Sequence, residues 1–195
     1  MVFVKAQAGP SLAGDPDDMF SVQYFDEQGN MTIRSGGTRA WRCNNPGNLV
    51  ASKYSKGKSR RSIGEAGDGK DIYAVYPDYE IEHEALVVML KGSVYSPLTL
   101  RAAMKKYDHR NLKYIDEIVK ITKLDPERTI NSLDDKESDL FWRAIEQVEK
   151  WIIGEEDFID SPYATWRAFR LSQSPGVKRS EKRLYLLNTT PFPIV

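Results

Sequence analysis

The sequence predicts an α+β fold, a small β region followed by a bundle of helices. Three observations predict it. Residues 19–25 alternate apolar and polar side chains, residues 26–30 supply the Asp, Gly and Asn of a turn, and residues 31–34 continue as a second strand, together the pattern of a β-hairpin. The run Asp71-Ile72-Tyr73-Ala74-Val75-Tyr76 is rich in β-branched and aromatic residues and reads as a further strand. From Asp78 onward, apolar residues recur at three- and four-residue spacing, the period of helices with one buried face.

Residues 1–19, rich in Gly, Pro, Asp and Ala and without sustained periodicity, read as a linker or loosely attached arm. Residues 50–71 are polar, basic and glycine-containing, and are expected to form a long excursion or a weak hairpin. Asp78 can cap a helix over 79–91 that ends near Gly92, with Leu86, Val87, Met89 and Leu90 marking its buried face. Thr99 can cap a short helix containing Ala102, Ala103 and Met104. Leu112, Ile115, Ile118, Val119 and Thr122 repeat at helical spacing. Asp134 with Glu137 forms a capping box opening the clearest helix, whose one face carries Leu140, Phe141, Ala144, Ile145, Val148 and Trp151. A further helix is expected near 161–172 and a strand near 183–188. The organisation read from this is an arm over 1–19, one domain over 20–154, and an extension over 155–195 packed on that domain.

Bulk properties narrow the function. The 195 residues, 41% hydrophobic and 29% charged, are those of a chain able to build one packed domain. Twenty-eight basic residues balance 28 acidic ones, so no global field points to nucleic acid or an anionic membrane. No apolar run is long enough to span a bilayer. One cysteine excludes an internal disulfide, and two widely spaced histidines with that cysteine give no metal-ligand signature. No cofactor is implied. The glycine-rich stretch 64–69 lacks the Lys-Ser/Thr and the following helix of a phosphate loop. The basic run Lys53, Lys56, Lys58, Arg60 and Arg61 lacks the interleaved aromatics of a nucleic-acid platform. It reads as a solvated loop or as a patch for anionic wall polymers.

The most informative stretch is Ala40-Trp41-Arg42-Cys43-Asn44-Asn45-Pro46-Gly47-Asn48-Leu49. Asparagines, proline and glycine in this density favour a rigid loop over regular structure. Its amides each offer two donors and an acceptor, suited to the hydroxyl and acetamido groups of a sugar. Trp41 adds a flat apolar surface.

Residues 34–49, followed by Ile63-Gly64, by Tyr73-Ala74-Val75-Tyr76-Pro77-Asp78-Tyr79-Glu80 and by Ser96-Pro97-Leu98-Thr99-Leu100-Arg101, resemble a lysozyme-like domain found in phage particles and in toxins of the bacterial type VI secretion system. The resemblance covers roughly residues 31–151. It implies a mainly helical lobe with a small β lobe, and cleavage of the peptidoglycan glycan strand by a muramidase or a lytic transglycosylase. The setting it implies is an antibacterial effector or a phage lysis domain, with a cognate immunity protein as a partner of the former. Residues 1–10 lack the basic start and apolar stretch of a secretory signal, so delivery to the target cell wall is expected through a secretion machine, a phage or a larger protein. The alternatives are a non-catalytic peptidoglycan-binding structural domain and a Cys-dependent stem-peptide hydrolase.

Glycan cleavage needs a carboxylic acid that keeps its proton near neutral pH, often with a second carboxylate. Glu65, flanked by glycines before the strand at 72–76, is the first choice for the acid. Glu80 is the second, although its place in the first turn of a helix favours the ionised form. Asp68 and Asp78 are candidates for the second carboxylate, with helix capping the simpler role for Asp78. Trp41, Asn44, Asn45, Asn48, Asp68 and Tyr79 are expected to bind the sugar. Glu82 and Glu84, flanking His83, read as surface charge, and related sequences carry a small residue near position 82. Cys43 stands where they carry Asn, and paired with His83 or His109 it is the nucleophile of the thiol reading.

Overall fold

The computed structural model describes residues 2–11, 20–51, 61–67, 71–111 and 113–159. Its strands are β1 (Phe3–Ser11), β2 (Phe20–Asp26), β3 (Met31–Ser35), β4 (Gly64–Gly67), β5 (Ile72–Val75) and β6 (Glu155–Ile159), and its helices are α1 (Arg39–Arg42), α2 (Tyr79–Lys91), α3 (Leu100–Tyr107), α4 (Tyr114–Thr122) and α5 (Asp135–Glu149). The strands form one mixed six-stranded sheet in the order β5-β4-β1-β2-β3-β6. All neighbours are antiparallel except β1 and β4, which run parallel.

This sheet corrects the expected lysozyme-like architecture. The fold is α+β, but not a mainly helical lobe with a minor β lobe. The difference comes from three strands that carry no clean alternation. Residues 3–11, expected as part of an arm, form β1 near the centre of the sheet. Residues 64–67, expected within an excursion, pair between β1 and β5. Glu155–Ile159, acidic and mostly exposed, pairs along the whole of β3. Long-range pairing overrides local pattern in such segments, because a strand's stability depends on its neighbours more than on its own propensity.

The hairpin forms as its pattern predicts. On β2, Phe20, Val22 and Tyr24 point into one apolar cluster with Val75 and Cys43, while Phe25 joins Met31, Ile33 and Ile159 in another. Both faces are therefore covered, and polar Gln23 is buried against Gln7, whose Nε2 donates to it at 2.9 Å. The helices also start where their caps predict. Asp78, Thr99 and Asp134 each accept a backbone N–H from the first turn of α2, α3 and α5, and Glu137 completes the capping box at Asp134. The helical core gathers Leu86, Leu90, Leu100, Met104, Ile118, Phe141 and Ile145. Leu140 and Trp151, expected on the buried face of the last helix, are exposed, and Trp142 is buried instead. The basic residues at 53, 56, 58 and 60, Asp68, and the helix and strand expected beyond 160 lie outside the described residues.

Gly64 permits the parallel β1–β4 contact, since a Cβ there would lie 1.9 Å from the Ala6 carbonyl oxygen. Gly64→Ala is therefore expected to cost about 2 kcal/mol or more through overpacking and to lower the thermal midpoint by several degrees. Calorimetry on the purified protein measures it.

Candidate active site on the α2–α5 seam

The loop after α1 is irregular and fastened by side-chain hydrogen bonds, and its amides turn inward. Asn44 and Asn48 adopt left-handed conformations, φ 46° and 51°, which asparagine tolerates better than most residues. The Asn44 Nδ2 donates to the carbonyls of Tyr76 and Pro77. Asn45 is fully buried, donates to the carbonyls of Leu49 and Ala74 at 2.9 and 2.8 Å, and accepts from the Leu49 N–H at 2.7 Å. Asn48 accepts from Arg39 Nε at 3.0 Å and donates to Glu149 at 2.6 Å. Trp41 is buried, with the Arg34 guanidinium over its ring. Four of the expected sugar-binding residues thus work within the fold, fastening the loop to β5 and to α5.

The first- and second-choice acids lie apart from each other, one on the sheet and one on α2. Glu65 lies inside β4, in register with Ala74 of β5 and Gln7 of β1, so it belongs to a paired strand and not to an open excursion. Glu80 is exposed in the first turn of α2. Asp78 caps that helix through the Ile81 N–H. Cys43 is fully buried, and burial pushes its thiol up to about 12, so it carries no thiolate at neutral pH.

The carboxyl whose surroundings raise its pKa is Glu82. It is 0% exposed on the inner face of α2, between the loop and α5. Its Oε1 accepts the Gly47 N–H at 3.2 Å, and its Oε2 has no hydrogen-bond partner among the described residues. Burial raises its pKa well above 4.5, and the charge of nearby Glu146 raises it further, against the smaller lowering effect of the Gly47 N–H. Tyr107, half-buried beneath the same loop, donates its hydroxyl to the Gly47 carbonyl. Glu82 and Tyr107 therefore grip opposite sides of one glycine, where a Cβ would meet Glu82 Oε1 at 2.8 Å and the Tyr107 hydroxyl at 3.0 Å.

Glu146 stands at the edge of this cluster, 8% exposed on α5. Both its oxygens are held from α2. The Tyr79 hydroxyl donates to Oε2, and His83 Nδ1 lies 2.6 Å from Oε1. Tyr79 and His83, one helical turn apart, stack with centroids 6.4 Å apart at 7°. Trp151, 38% exposed, packs its edge on Tyr79 at 5.6 Å. Burial first, and the Glu146 carboxylate second, push the Tyr79 phenol well above its ordinary range, so it stays a donor. Glu149, one turn further along α5, accepts from Asn48 and, at 2.7 Å, from the Tyr114 hydroxyl.

Of the residues expected at the site, Tyr79 is in this cluster and Asn48 borders it. Glu82, His83, Glu146 and Trp151 were not expected there. The signal for Glu82 was present in the sequence: it lies three and four residues before Ala85 and Leu86, on the apolar stripe of α2, where an unpaired acid is costly enough to need a reason. Glu146 similarly interrupts the stripe of Trp142 and Ile145. No group of His, Cys, Asp and Glu among the described residues could hold a metal ion, and among them no helix is long and apolar enough to cross a membrane. No protein-family model matches the chain, and no curated protein matches it in sequence.

Two stability measurements test this geometry. Asn45→Ala removes three buried hydrogen bonds and strands the Ala74 carbonyl, an expected loss of about 3 kcal/mol in urea unfolding. Glu82, with a folded-state pKa above its unfolded value of 4.5, adds stability that is fully present below pH 4.5 and is lost as pH rises toward the folded value. Glu82→Gln is therefore expected to flatten the stability profile above pH 4.5, read by urea unfolding from pH 4 to pH 8.

Proposed function

We propose that this chain cleaves the glycan strand of peptidoglycan, and that the chemistry lies on the α2–α5 seam rather than at Glu65 or Glu80. The observation that carries the reading is the cluster around Glu146: its carboxyl is bound through both oxygens, by the Tyr79 hydroxyl and by His83 Nδ1, beside Glu82, whose pKa burial raises. A carboxyl paired with a partly exposed imidazole is a part that acid–base cleavage of an acetal can use. Tyr79 and exposed Trp151 add an aromatic surface beside Glu146, on which the apolar face of a sugar ring can pack. The residue blocks that resemble those of peptidoglycan-cleaving domains suggest the substrate. An antibacterial effector or a phage lysis protein is the setting in which that activity is used, with an immunity protein as the partner of the effector.

A second reading is a domain that binds the wall without cutting it. The complete burial of Glu82 and the inward turn of Asn44 and Asn45 favour it, since neither is presented to a ligand.

Mass spectrometry of purified peptidoglycan after digestion separates the two. Soluble disaccharide-peptides are expected from the wild type and from Glu65→Gln, and a loss of about 100-fold or more from Glu146→Gln. Fragments from Glu146→Gln but not from Glu65→Gln return the chemistry to the sheet. Binding to wall pellets with no fragments from the wild type establishes the second reading.

A further inference from the structure

We propose that His83 is the group that exchanges protons with the substrate at this site, with Glu146 as its positioning residue; this rests on the glycan-cleaving reading above. His83 Nδ1 faces Glu146 Oε1 at 2.6 Å. In this proposal Nδ1–H donates to Glu146 Oε1, and that bond sets the tautomer. Nε2, at the far side of the ring, has no hydrogen-bond partner among the described residues, and the side chain is 24% exposed. The ring is held in place by stacking on Tyr79, which itself binds the other oxygen of Glu146. A carboxylate, an oriented imidazole and an open nitrogen form an acid–base couple. Fully buried Glu82 cannot reach a sugar and serves to keep its own position in the cluster uncharged.

Among the described residues, the titratable groups that contact the imidazole are Glu146 from α5 and Tyr79 from its own helix. Arg143 is engaged by Asp139 at 2.9 Å, and Glu84 by Arg61. Glu146 is the hydrogen-bonding partner of the ring and, with the Tyr79 stack, fixes its orientation.

The proton balance closes on one residue. In its doubly protonated form, His83 gives the Nε2 proton to the leaving glycosidic oxygen as the bond to the anomeric carbon breaks. The neutral imidazole then takes a proton from the incoming hydroxyl, of water or of the sugar itself, as that oxygen bonds to the same carbon. Glu146 keeps the Nδ1 proton throughout.

His83→Asn tests this, because the asparagine amide can replace Nδ1–H toward Glu146 but cannot carry the exchanged proton. The wild type, His83→Asn and His83→Ala are incubated with insoluble peptidoglycan, and released fragments, pellet binding and thermal midpoint are measured. The expected result is a loss of about 100-fold or more in fragment release from His83→Asn, with pellet binding and midpoint kept, and partial rescue of His83→Ala by added imidazole. His83→Asn releasing fragments within about threefold of the wild type overturns the role of His83 and leaves glycan cleavage standing. Loss of pellet binding together with activity in both variants, without imidazole rescue, makes His83 structural and overturns the role as well. A wild type that releases nothing overturns the glycan-cleaving reading and this inference with it.

Discussion

The buried side chain of Asn45 is the contact on which the rest of the architecture depends. It bonds to Leu49 within its own loop and to Ala74 on β5, and so fixes the loop to the edge of the sheet. Neighbouring backbone bonds, from Tyr76 N–H to the Cys43 carbonyl and from Ala74 N–H to the Leu49 carbonyl, extend the same seam. The backbone polar groups of a buried loop must find partners inside the protein, and here an amide side chain supplies what a strand would otherwise supply. Because β5 leads directly into α2, the position of this loop sets where α2 begins and which of its residues face Gly47.

From that placement follows the electrostatics of the helical half. Gly47 brings its N–H to Glu82 and its carbonyl to Tyr107. Three acids, Glu82, Glu146 and Glu149, then lie close enough to influence one another. An ionised cluster of this kind, away from water, is strongly unfavourable. The fold resolves it by keeping Glu82 neutral and by surrounding the others with neutral donors, the hydroxyls of Tyr79 and Tyr114 and the amide of Asn48. Tyrosine hydroxyls suit this use, since burial and the adjacent carboxylates push them up and keep them protonated.

The same arrangement moves the functional reading from the sheet to the helices. Glycine-flanked Glu65 has the local look of an exposed catalytic acid, yet strand pairing on both sides makes it part of the sheet. His83 has the local look of a charge-flanked surface residue, yet α5 places a carboxylate against one of its nitrogens and leaves the other open. A general acid–base needs a partner that orients it, and that partner comes from a residue 63 positions away in the chain.

The sequence by itself determined the elements whose signals are local. The hairpin over residues 20–35 follows from alternation and a turn. The starts of α2, α3 and α5 follow from Asp78, Thr99 and Asp134, whose side chains need only the next three residues to act. The irregular loop at 43–49 follows from Asn, Pro and Gly. Only the tertiary structure decided that β1, β4 and β6 are strands, that the loop amides point inward, and that Glu82, His83 and Glu146 meet. Each of these depends on a partner distant in sequence. A β-ladder, a buried amide's acceptors and a carboxyl's pKa are all set by what the fold brings within a few ångströms, which no local pattern of residues encodes.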